Sequence, residues 1–380
     1  MCTKLRHKSG AAHQEQAAIS SLYYNYLNFI IKKLAQRLLA ERQAIVPPSE
    51  ANLSLTQALK QLCGDIDGAR ELDEREAREL MSAMLDAGIG ELELGAALAL
   101  LEHKPVTLPE LLGYFTALAQ RCSRLRPPAG PARPVVFACY HGVRSHPHLL
   151  PLVALTLQRL RVPVLVHGAL DGGGGVAAAY VFRELGIFPC ASLTLAQSRL
   201  DDGKLAFVPT AVLAPGLAQL LALKGRLGFG GLVQALARLL APFETGALHV
   251  VAPNPVMGSA LLHEFLAASG LTALLLEGIE GEAFADPRRR PLLEYVAAAG
   301  DCRVLFEAEG AALKQPATLP VATDAHSTAA WIRRAMAGEA PLPPPLVNQI
   351  ACCLYGAGYT DDMNQAKAIV AVETGSLAAA

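Results

Sequence analysis

The sequence predicts an α/β protein in which a helical N-terminal part precedes a mostly parallel central sheet flanked by helices. From about residue 54 to residue 125, apolar residues recur with a period near that of an α-helix. After a proline-rich stretch, RPPAGPARP, short β-branched runs alternate with helix-like segments. That alternation is typical of βαβ units and a parallel sheet. With 380 residues, 52% of them hydrophobic, the chain has the material for a large core.

The helical part is predicted to contain four helices after an N-terminal extension. Residues 1–50 carry mostly Lys and Arg among their charges and include a basic amphipathic helix, which VPPSE ends because proline cannot continue a helix. The four helices that follow are expected in LTQALKQLCGDI, LDEREARELMSAMLDAG, LELGAALALLEHK and TLPELLGYFTALAQRCSRL. Acidic residues in LDEREARE suit the first turn of a helix.

The α/β part is predicted to occupy residues 134–380. Strands are expected in PVVFACY, VPVLVHG, LHVVAPN, ALLLEG and CRVLFEA. Helices are expected between most of them, in LLPLVALTLQRLR, VAAAYVFREL, LAQLLALKGRLG and SALLHEFLAASG. From Ser327 to about Val372 the pattern is helical again, with a break at APLPPP.

Composition excludes some classes of protein. A net charge of −1 gives no overall basic field, so a nucleic-acid partner would need a local patch. No apolar run reaches the length of a membrane span, and no apolar signal core follows the first charged residues. The eight cysteines form no CxxC pair, which favours reduced thiols in a cytoplasmic protein.

A glycine-rich loop, HGALDGGGG, follows the second predicted strand and precedes a helix-like segment. This is the usual position of a phosphate-binding loop, where free N–H groups and the helix dipole attract an anion. The loop itself brings no cation, however, and Asp171 adds a repelling charge. A loop without a ligand, a weak anion site and a working phosphate site all remain open. The candidate ligand residues are His141, Gly142, His167, Gly168, Gly172, Gly173, Gly174 and Gly175.

Basic residues cluster locally, and phosphate backbones are bound through such clusters by neutralisation and counterion release. The candidate nucleic-acid contacts are Arg144, Lys224, Arg226, Arg238, Arg288, Arg289 and Arg290. Two structural explanations compete with this one. PRRRP is alternatively a solvated loop that pairs with nearby acids, and Lys224 with Arg226 alternatively end a helix ahead of Gly228.

Three stretches together resemble the anthranilate phosphoribosyltransferase family (glycosyl transferase family 3). They are GDIDGARELDEREARELMSAMLDAGIGELELGAALALL, VPVLVHG with its glycine loop and FRELGI, and LLLEGIEGEAFADPRRRP. The resemblance spans about Leu55 to Val372. DPRRRP and TAAWIRRAMAGEAPLPPPLVNQIACCL favour the divergent branch of the family, whose members are described as DNA-binding or transferase-like.

The resemblance implies a helical domain at 51–126 that mediates a homodimer, with residues 215–242 packing on it. In active transferases of the family, three motifs bind phosphoribosyl pyrophosphate and magnesium. Here ACYHG stands where the family has Gly-Thr-Gly-Gly-Asp, and VHGAL stands where it has Lys-His-Gly-Asn-Arg. EGIEGEAFAD replaces the acidic Asp-Glu pair, so Glu280 and Glu282 are weak metal candidates.

We therefore expect a transferase-like protein with eroded phosphoribosyl-pyrophosphate motifs that binds nucleic acid non-specifically through Arg and Lys patches on a dimer. The alternative is an active glycosyl or phosphoribosyl transferase, a pentosyltransferase, with an altered phosphorylated substrate. A structural dimer that binds a protein partner is a third hypothesis. The sequence assigns no cofactor, and magnesium is expected only if the transferase alternative holds.

Overall fold

The computed structural model describes residues 50–64, 71–243, 246–310 and 319–374. The predicted N-terminal helix lies outside these residues. Four helices come first, at the positions that the periodicity predicts: α1 (Glu50–Cys63), α2 (Glu74–Leu85), α3 (Glu91–His103) and α4 (Leu108–Arg121). Among the described helices, none is both long and apolar enough to cross a membrane.

Capping residues fix where two of these helices begin. The Asp73 carboxylate accepts a hydrogen bond from the Glu76 amide at 2.7 Å, and the Glu76 carboxylate accepts one from the Asp73 amide at 3.1 Å. Thr107 and Glu110 form the same reciprocal pair at the start of α4. Each such cap stabilises a helix by about 1 kcal/mol.

The described residues form two compact units whose boundaries differ from the predicted domain boundaries. α1 and α3 belong to one unit, whereas α2 and α4 belong with the sheet in the other. α2 and α4 pack against each other so closely that a Cβ on Gly113 would lie 2.3 Å from the Glu74 carbonyl oxygen. Dimerisation through the helical domain stays a prediction.

A seven-stranded sheet with strand order β3-β2-β1-β4-β5-β6-β7 is the centre of the larger unit. The strands are β1 (Val135–Cys139), β2 (Val164–Gly168), β3 (Ala206–Pro209), β4 (Leu248–Val251), β5 (Thr272–Leu276), β6 (Leu293–Val296) and β7 (Cys302–Phe306). β1 to β5 are parallel, and β6 and β7 add an antiparallel edge. The mostly parallel sheet predicted from the sequence is confirmed.

Helices cover the sheet. They are α5 (Leu150–Arg159), α6 (Ala178–Glu184), α7 (Leu193–Asp201), α8 (Thr210–Leu213), α9 (Pro215–Ala222), α10 (Lys224–Leu227), α11 (Gly231–Ala237), α12 (Ser259–Ser269), α13 (Ala325–Met336), α14 (Pro344–Gly356) and α15 (Met363–Thr374). The apolar residues of β1 and β2 are fully or almost fully buried, which explains their continuous apolar sequences.

Several elements depart from the expectations. β3, β6, α7, α8 and α11 were not predicted: AFVP and LEYV are short and contain a proline and a glutamate, α8 has only four residues, and α7 has little amphipathic pattern. LAQLLALKGRLG was expected to form one helix. It forms α9 and α10 instead, and α10 ends where Gly228 takes a left-handed conformation with φ of 78°.

The strand order reverses between β1 and β4. β2 and β3 lie on one side of β1, and β4 and β5 lie on the other. In open α/β sheets, ligands bind near such a reversal, at the carboxyl ends of the strands.

Candidate functional site

An open cleft of about 1120 Å³ lies at the carboxyl ends of β1, β2 and β3. The loops after β1 and β2, the start of α8, the α9–α10 segment and the loop after β5 surround it. Most of the predicted site residues meet here although they are far apart in sequence. Those that line the cleft are His141, Gly142, Arg144, Gly168, Gly172, Gly173, Gly174, Gly175, Lys224 and Glu280.

The glycine loop is held shut against the loop after β1 by backbone contacts. The amides of Gly142 and Gly175 both donate to the Gly172 carbonyl at 3.0 Å, and Val143 and Val176 exchange backbone hydrogen bonds at 2.9 and 3.1 Å. A Cβ on Gly142 would lie 2.4 Å from the Gly175 carbonyl carbon. Glycine is thus required at these positions by the approach of two backbones, and two of the loop amides are already bonded.

Packing and burial explain the His-Gly pair formed by His167 and Gly168. A Cβ on Gly168 would lie 1.7 Å from the Cys139 carbonyl oxygen, so only glycine fits beside β1. His167 has no exposed surface and does not line the cleft, contrary to its assignment as a ligand residue. Burial, aided by the neighbouring His249, lowers the pKa of His167 to about 3, so the ring is neutral near pH 7.

His167 supports Tyr140, which does face the cleft. The Tyr140 hydroxyl lies 3.0 Å from Nδ1 of His167 and 3.1 Å from the Thr210 hydroxyl. The Thr210 hydroxyl also lies 3.1 Å from the Gly168 carbonyl, which can accept its proton. Burial raises the pKa of Tyr140, so this phenol stays protonated at neutral pH. The network fixes the floor of the cleft.

Glu282 is a second buried support. Its side chain has no exposed surface, and its Oε1 accepts hydrogen bonds from the amides of Tyr140 at 3.0 Å and His141 at 2.7 Å. Oε2 lies 3.6 Å from Nε2 of His148, which is also fully buried. The carboxylate therefore ties the loop after β5 to the end of β1, and it does not line the cleft where a metal was expected to lie.

Glu280, the other weak metal candidate, lines the cleft but is engaged by backbone amides. Its carboxylate accepts from the amide of Arg144 at 3.1 Å and from that of Ser145 at 2.9 Å. Although partial burial raises its pKa, these hydrogen bonds outweigh burial and lower the pKa overall. Glu280 also lines a neighbouring cavity of about 220 Å³ together with His146 and Arg289.

Arg238 is buried, so its guanidinium is not presented on the surface as the nucleic-acid prediction required. It donates to the Gly281 carbonyl and to Nδ1 of His141. Burial and the positive charge of Arg238 lower the pKa of His141. Because Nδ1 accepts a hydrogen bond, the neutral ring carries its proton on Nε2 and is a hydrogen-bond donor on that side.

Two other basic candidates line the cleft. The exposed Arg144 donates to the Gly173 carbonyl at 3.1 Å, and Lys224 donates to Gln234 at 3.1 Å. Arg226 is exposed one residue beyond Gly225 on α10. The cleft is therefore lined by cations that the glycine loop itself lacks. The sequence spacing did not predict that α10 would contribute one of them.

The three arginines of PRRRP differ in exposure and in pairing. Arg288 and Arg289 are exposed. Arg290 is held, since its Nε donates to the Glu307 carbonyl at 3.0 Å, its guanidinium lies 3.6 Å from the Glu309 carboxylate, and it stacks 5.1 Å above the Phe306 ring. For Arg290 the competing structural explanation, pairing with a nearby acid, is confirmed.

Comparisons with known proteins agree with this architecture. The chain is 36% identical over 291 residues to the uncharacterised protein YbiB of Escherichia coli K12, covering 76% of this chain and 90% of that protein. It is 22% identical over 250 residues to anthranilate phosphoribosyltransferase of Methanothermobacter thermautotrophicus, covering 65% of this chain and 68% of the enzyme. No protein-family profile matches the chain.

Solved structures of the enzyme share the fold. Anthranilate phosphoribosyltransferase from Thermus thermophilus superposes with a TM-score of 0.66 at 19% identity, over 86% of this chain and 95% of that chain. The Saccharomyces cerevisiae enzyme, in complex with PRPP and Mg, gives 0.63 at 12% identity, over 87% and 95%.

Sheet, helices and a glycine-lined cleft at the strand ends define a transferase-like α/β protein. The chain belongs to the anthranilate phosphoribosyltransferase-like family, as the resemblance of its sequence motifs predicted.

Proposed function

We propose that this protein binds nucleic acid without reading its sequence, through phosphate contacts along the rim of the cleft, and that it does not transfer phosphoribosyl groups. The observation that carries the proposal is the position of the cations in the cleft relative to the glycine loop. Cations line the cleft, whereas the Gly175 and Val176 amides of the glycine loop already donate to backbone carbonyls.

The closed loop argues against a pyrophosphate cradle. Such a cradle needs several backbone N–H groups that converge on the ligand. The amides of Gly142 and Gly175 are instead bonded to the Gly172 carbonyl. Ala169 and Leu170 line the cleft where the family motif places Asn and Arg, so polar groups for a sugar phosphate are replaced by apolar ones.

The distribution of charge favours an extended polyanion over a compact ligand. Arg144 and Lys224 both line the cleft, and Arg289 lines the adjoining cavity, which shares Glu280 with the cleft. Arg226 and Arg288 are exposed on the same two segments as Lys224 and Arg289. Phosphates spaced along a strand can reach separated cations, whereas one small ligand cannot reach them all.

The transferase alternative rests on a different observation. The cleft lies at the carboxyl ends of the strands and includes an acidic residue, Glu280. If this alternative holds, Glu280 is the residue to hold magnesium, with phosphoribosyl pyrophosphate as ligand by analogy with the yeast enzyme. Against it, both Glu280 oxygens already accept hydrogen bonds from the Arg144 amide.

A homodimer in the cytoplasm is part of the same proposal. Two copies would lengthen the basic surface, and the described cysteines are free thiols, which suits a reducing compartment. Sedimentation velocity tests the dimer directly. A monomer at micromolar concentration would remove that part of the proposal and leave the single-chain contacts to be judged by the variants.

Matched lysine variants test the proposal. Lys224→Ala removes a cation from the cleft wall, and Lys204→Ala removes an exposed lysine that precedes β3, at the amino end of that strand and so at the opposite end from the cleft. In fluorescence anisotropy with a labelled single-stranded oligonucleotide, Lys224→Ala should lower the salt slope of log K by about 0.7 for each lost phosphate contact. Lys204→Ala should leave the slope unchanged. Equal effects of the two variants would contradict the proposed site.

A further inference from the structure

A second group of polar side chains lies at the antiparallel edge of the sheet, away from the cleft, where α12 packs on β6. Side chains of three types meet there: His263 from α12, Glu294 from β6 and Cys302 from the start of β7. Their nitrogen, carboxylate oxygen and sulfur atoms all lie within 4.8 Å of one another. Imidazole, carboxylate and thiolate are the three protein ligands of Zn²⁺.

The separations between the atoms are close to those of a zinc centre. Nε2 of His263 lies 3.3 Å from Oε2 of Glu294, and Sγ of Cys302 lies 3.7 Å from Oε1, the other oxygen of the same carboxylate. Zn–N, Zn–O and Zn–S bonds of about 2.0–2.3 Å at tetrahedral angles place ligand atoms about 3.3–3.6 Å apart. One carboxylate oxygen must therefore approach both His263 and Cys302, which requires a rotation of the Glu294 side chain.

The orientation of His263 is an independent observation. Its Nδ1 donates to the Ser259 carbonyl one turn earlier on α12, at 2.7 Å, because a carbonyl can only accept. Nε2 of the neutral ring therefore directs a lone pair at the Glu294 carboxylate, so two acceptors face each other. A proton or a metal cation must lie between them. Hydrogen bonding of the second ring nitrogen to a carbonyl is also the usual support of a zinc-bound histidine.

We propose that His263, Glu294 and Cys302 bind one Zn²⁺, with water in the fourth position, and that the ion fastens α12 to the β6–β7 edge. Binding converts the Cys302 thiol to a thiolate and releases its proton to solvent. The site is half-buried at His263 and Glu294 and open to solvent at Cys302, so an ion can enter without unfolding. This proposal is independent of the nucleic-acid proposal.

The chain contains a matched control for an ordinary ion pair. Nδ1 of His326 lies 3.3 Å from Oε2 of Glu184, the same separation as in the His263–Glu294 pair. Among the described residues, His263 and Glu294 lie close to a third possible metal ligand, Cys302, whereas no such group of three includes His326. If histidine and glutamate alone were enough, the two pairs would bind metal equally.

The test uses tag-free full-length protein, reduced and stripped of metal, titrated with Co²⁺ and separately with Zn²⁺. Wild-type protein should bind one equivalent and give the near-ultraviolet charge-transfer absorption of a cobalt–thiolate bond, which Zn²⁺ then displaces. His263→Gln and Cys302→Ser should each weaken Zn²⁺ binding about 100-fold or more, and Cys302→Ser should abolish the absorption. His326→Gln and Cys63→Ser should change neither.

Two results would overturn the proposal. One is wild-type protein that gives no cobalt–thiolate absorption at excess Co²⁺. The other is a zinc stoichiometry and affinity that His263→Gln and Cys302→Ser leave unchanged. Circular dichroism of both variants verifies that they are folded, and Glu294→Gln, which keeps the size of the side chain, serves as a further ligand variant should either fail to fold.

Discussion

Replacing Glu282 tests whether a buried carboxylate organises the cleft. In Glu282→Ala the amides of Tyr140 and His141, both bonded to Oε1 in the native protein, lose their acceptor. Glu282→Gln keeps an acceptor oxygen in the same place. The two substitutions therefore separate the loss of the hydrogen bonds from the loss of the charge.

The expected loss of stability follows from burial. The Tyr140 amide is buried, so the loss of its partner costs about 1–3 kcal/mol, and Glu282→Ala should lower the free energy of unfolding by at least this amount. Glu282→Gln should lower it by less, because a neutral acceptor keeps about 0.5–1.5 of the roughly 1.5–3 kcal/mol that a charge-assisted hydrogen bond contributes. Because the same loop carries Arg144, Glu282→Ala should also weaken oligonucleotide binding.

Urea denaturation followed by circular dichroism measures these changes. Glu264→Ala, which removes an exposed glutamate from α12, is the control and should stay within about 0.5 kcal/mol of the parent protein. A Glu282→Ala protein as stable as the control would refute the argument, because it would mean that the amides of the loop do not depend on this carboxylate.

Three further predictions follow from the described contacts. Gly142→Ala should destabilise the fold and disturb the glycine loop, since its Cβ would meet the Gly175 backbone at 2.4 Å; unchanged melting temperature would contradict this. Arg289→Ala should weaken oligonucleotide binding more than Arg290→Ala, because Arg290 is paired with Glu309; the reverse order in anisotropy would exclude Arg289. Burial lowers the pKa of His167 to about 3 and that of His249 to about 4, so the unfolded chain binds more protons than the folded one below the ordinary histidine pKa of about 6.5. Stability should therefore fall as pH falls from about 6.5 toward 4, by roughly 1.4 kcal/mol per histidine between pH 7.5 and 5.5. Urea midpoints that do not change across this range would contradict neutral burial of both rings.

Most of the fold follows from short-range sequence patterns. β1, β2, β4 and β5 are buried on both faces, so each is a continuous apolar run with clear ends. β4 is equally short but lies in a mostly apolar run, whereas β3 (AFVP) ends in a proline and β6 (LEYV) contains a glutamate, so these two escaped prediction. β6 lies between β5 and β7 and owes its place to pairing with these neighbours, which local sequence does not encode.

The candidate site was only partly predictable. The glycine loop and the loop after β1 were both recognised, but their mutual contact was not, because close approach of two backbones is a tertiary property. It explains why Gly142, Gly172 and Gly175 carry no side chain. Local sequence likewise offered no reason to separate the buried Arg238 from the cleft-lining Lys224, since both occur in similar amphipathic segments. The residues of the proposed zinc site come from a helix and two consecutive strands, and their spacing matches no recognised metal motif.

The most direct test of the central claim is the salt dependence of oligonucleotide binding, measured by anisotropy. Five basic residues are exposed or line the cleft and its rim: Arg144, Lys224, Arg226, Arg288 and Arg289. If each neutralises one phosphate of a single strand, log K should fall with log salt at a slope of about −3.5, so affinity should fall about 100-fold between about 50 and 200 mM salt. The contradicting result is no binding at low salt, together with thermal stabilisation by phosphoribosyl pyrophosphate and magnesium, which would favour the transferase alternative.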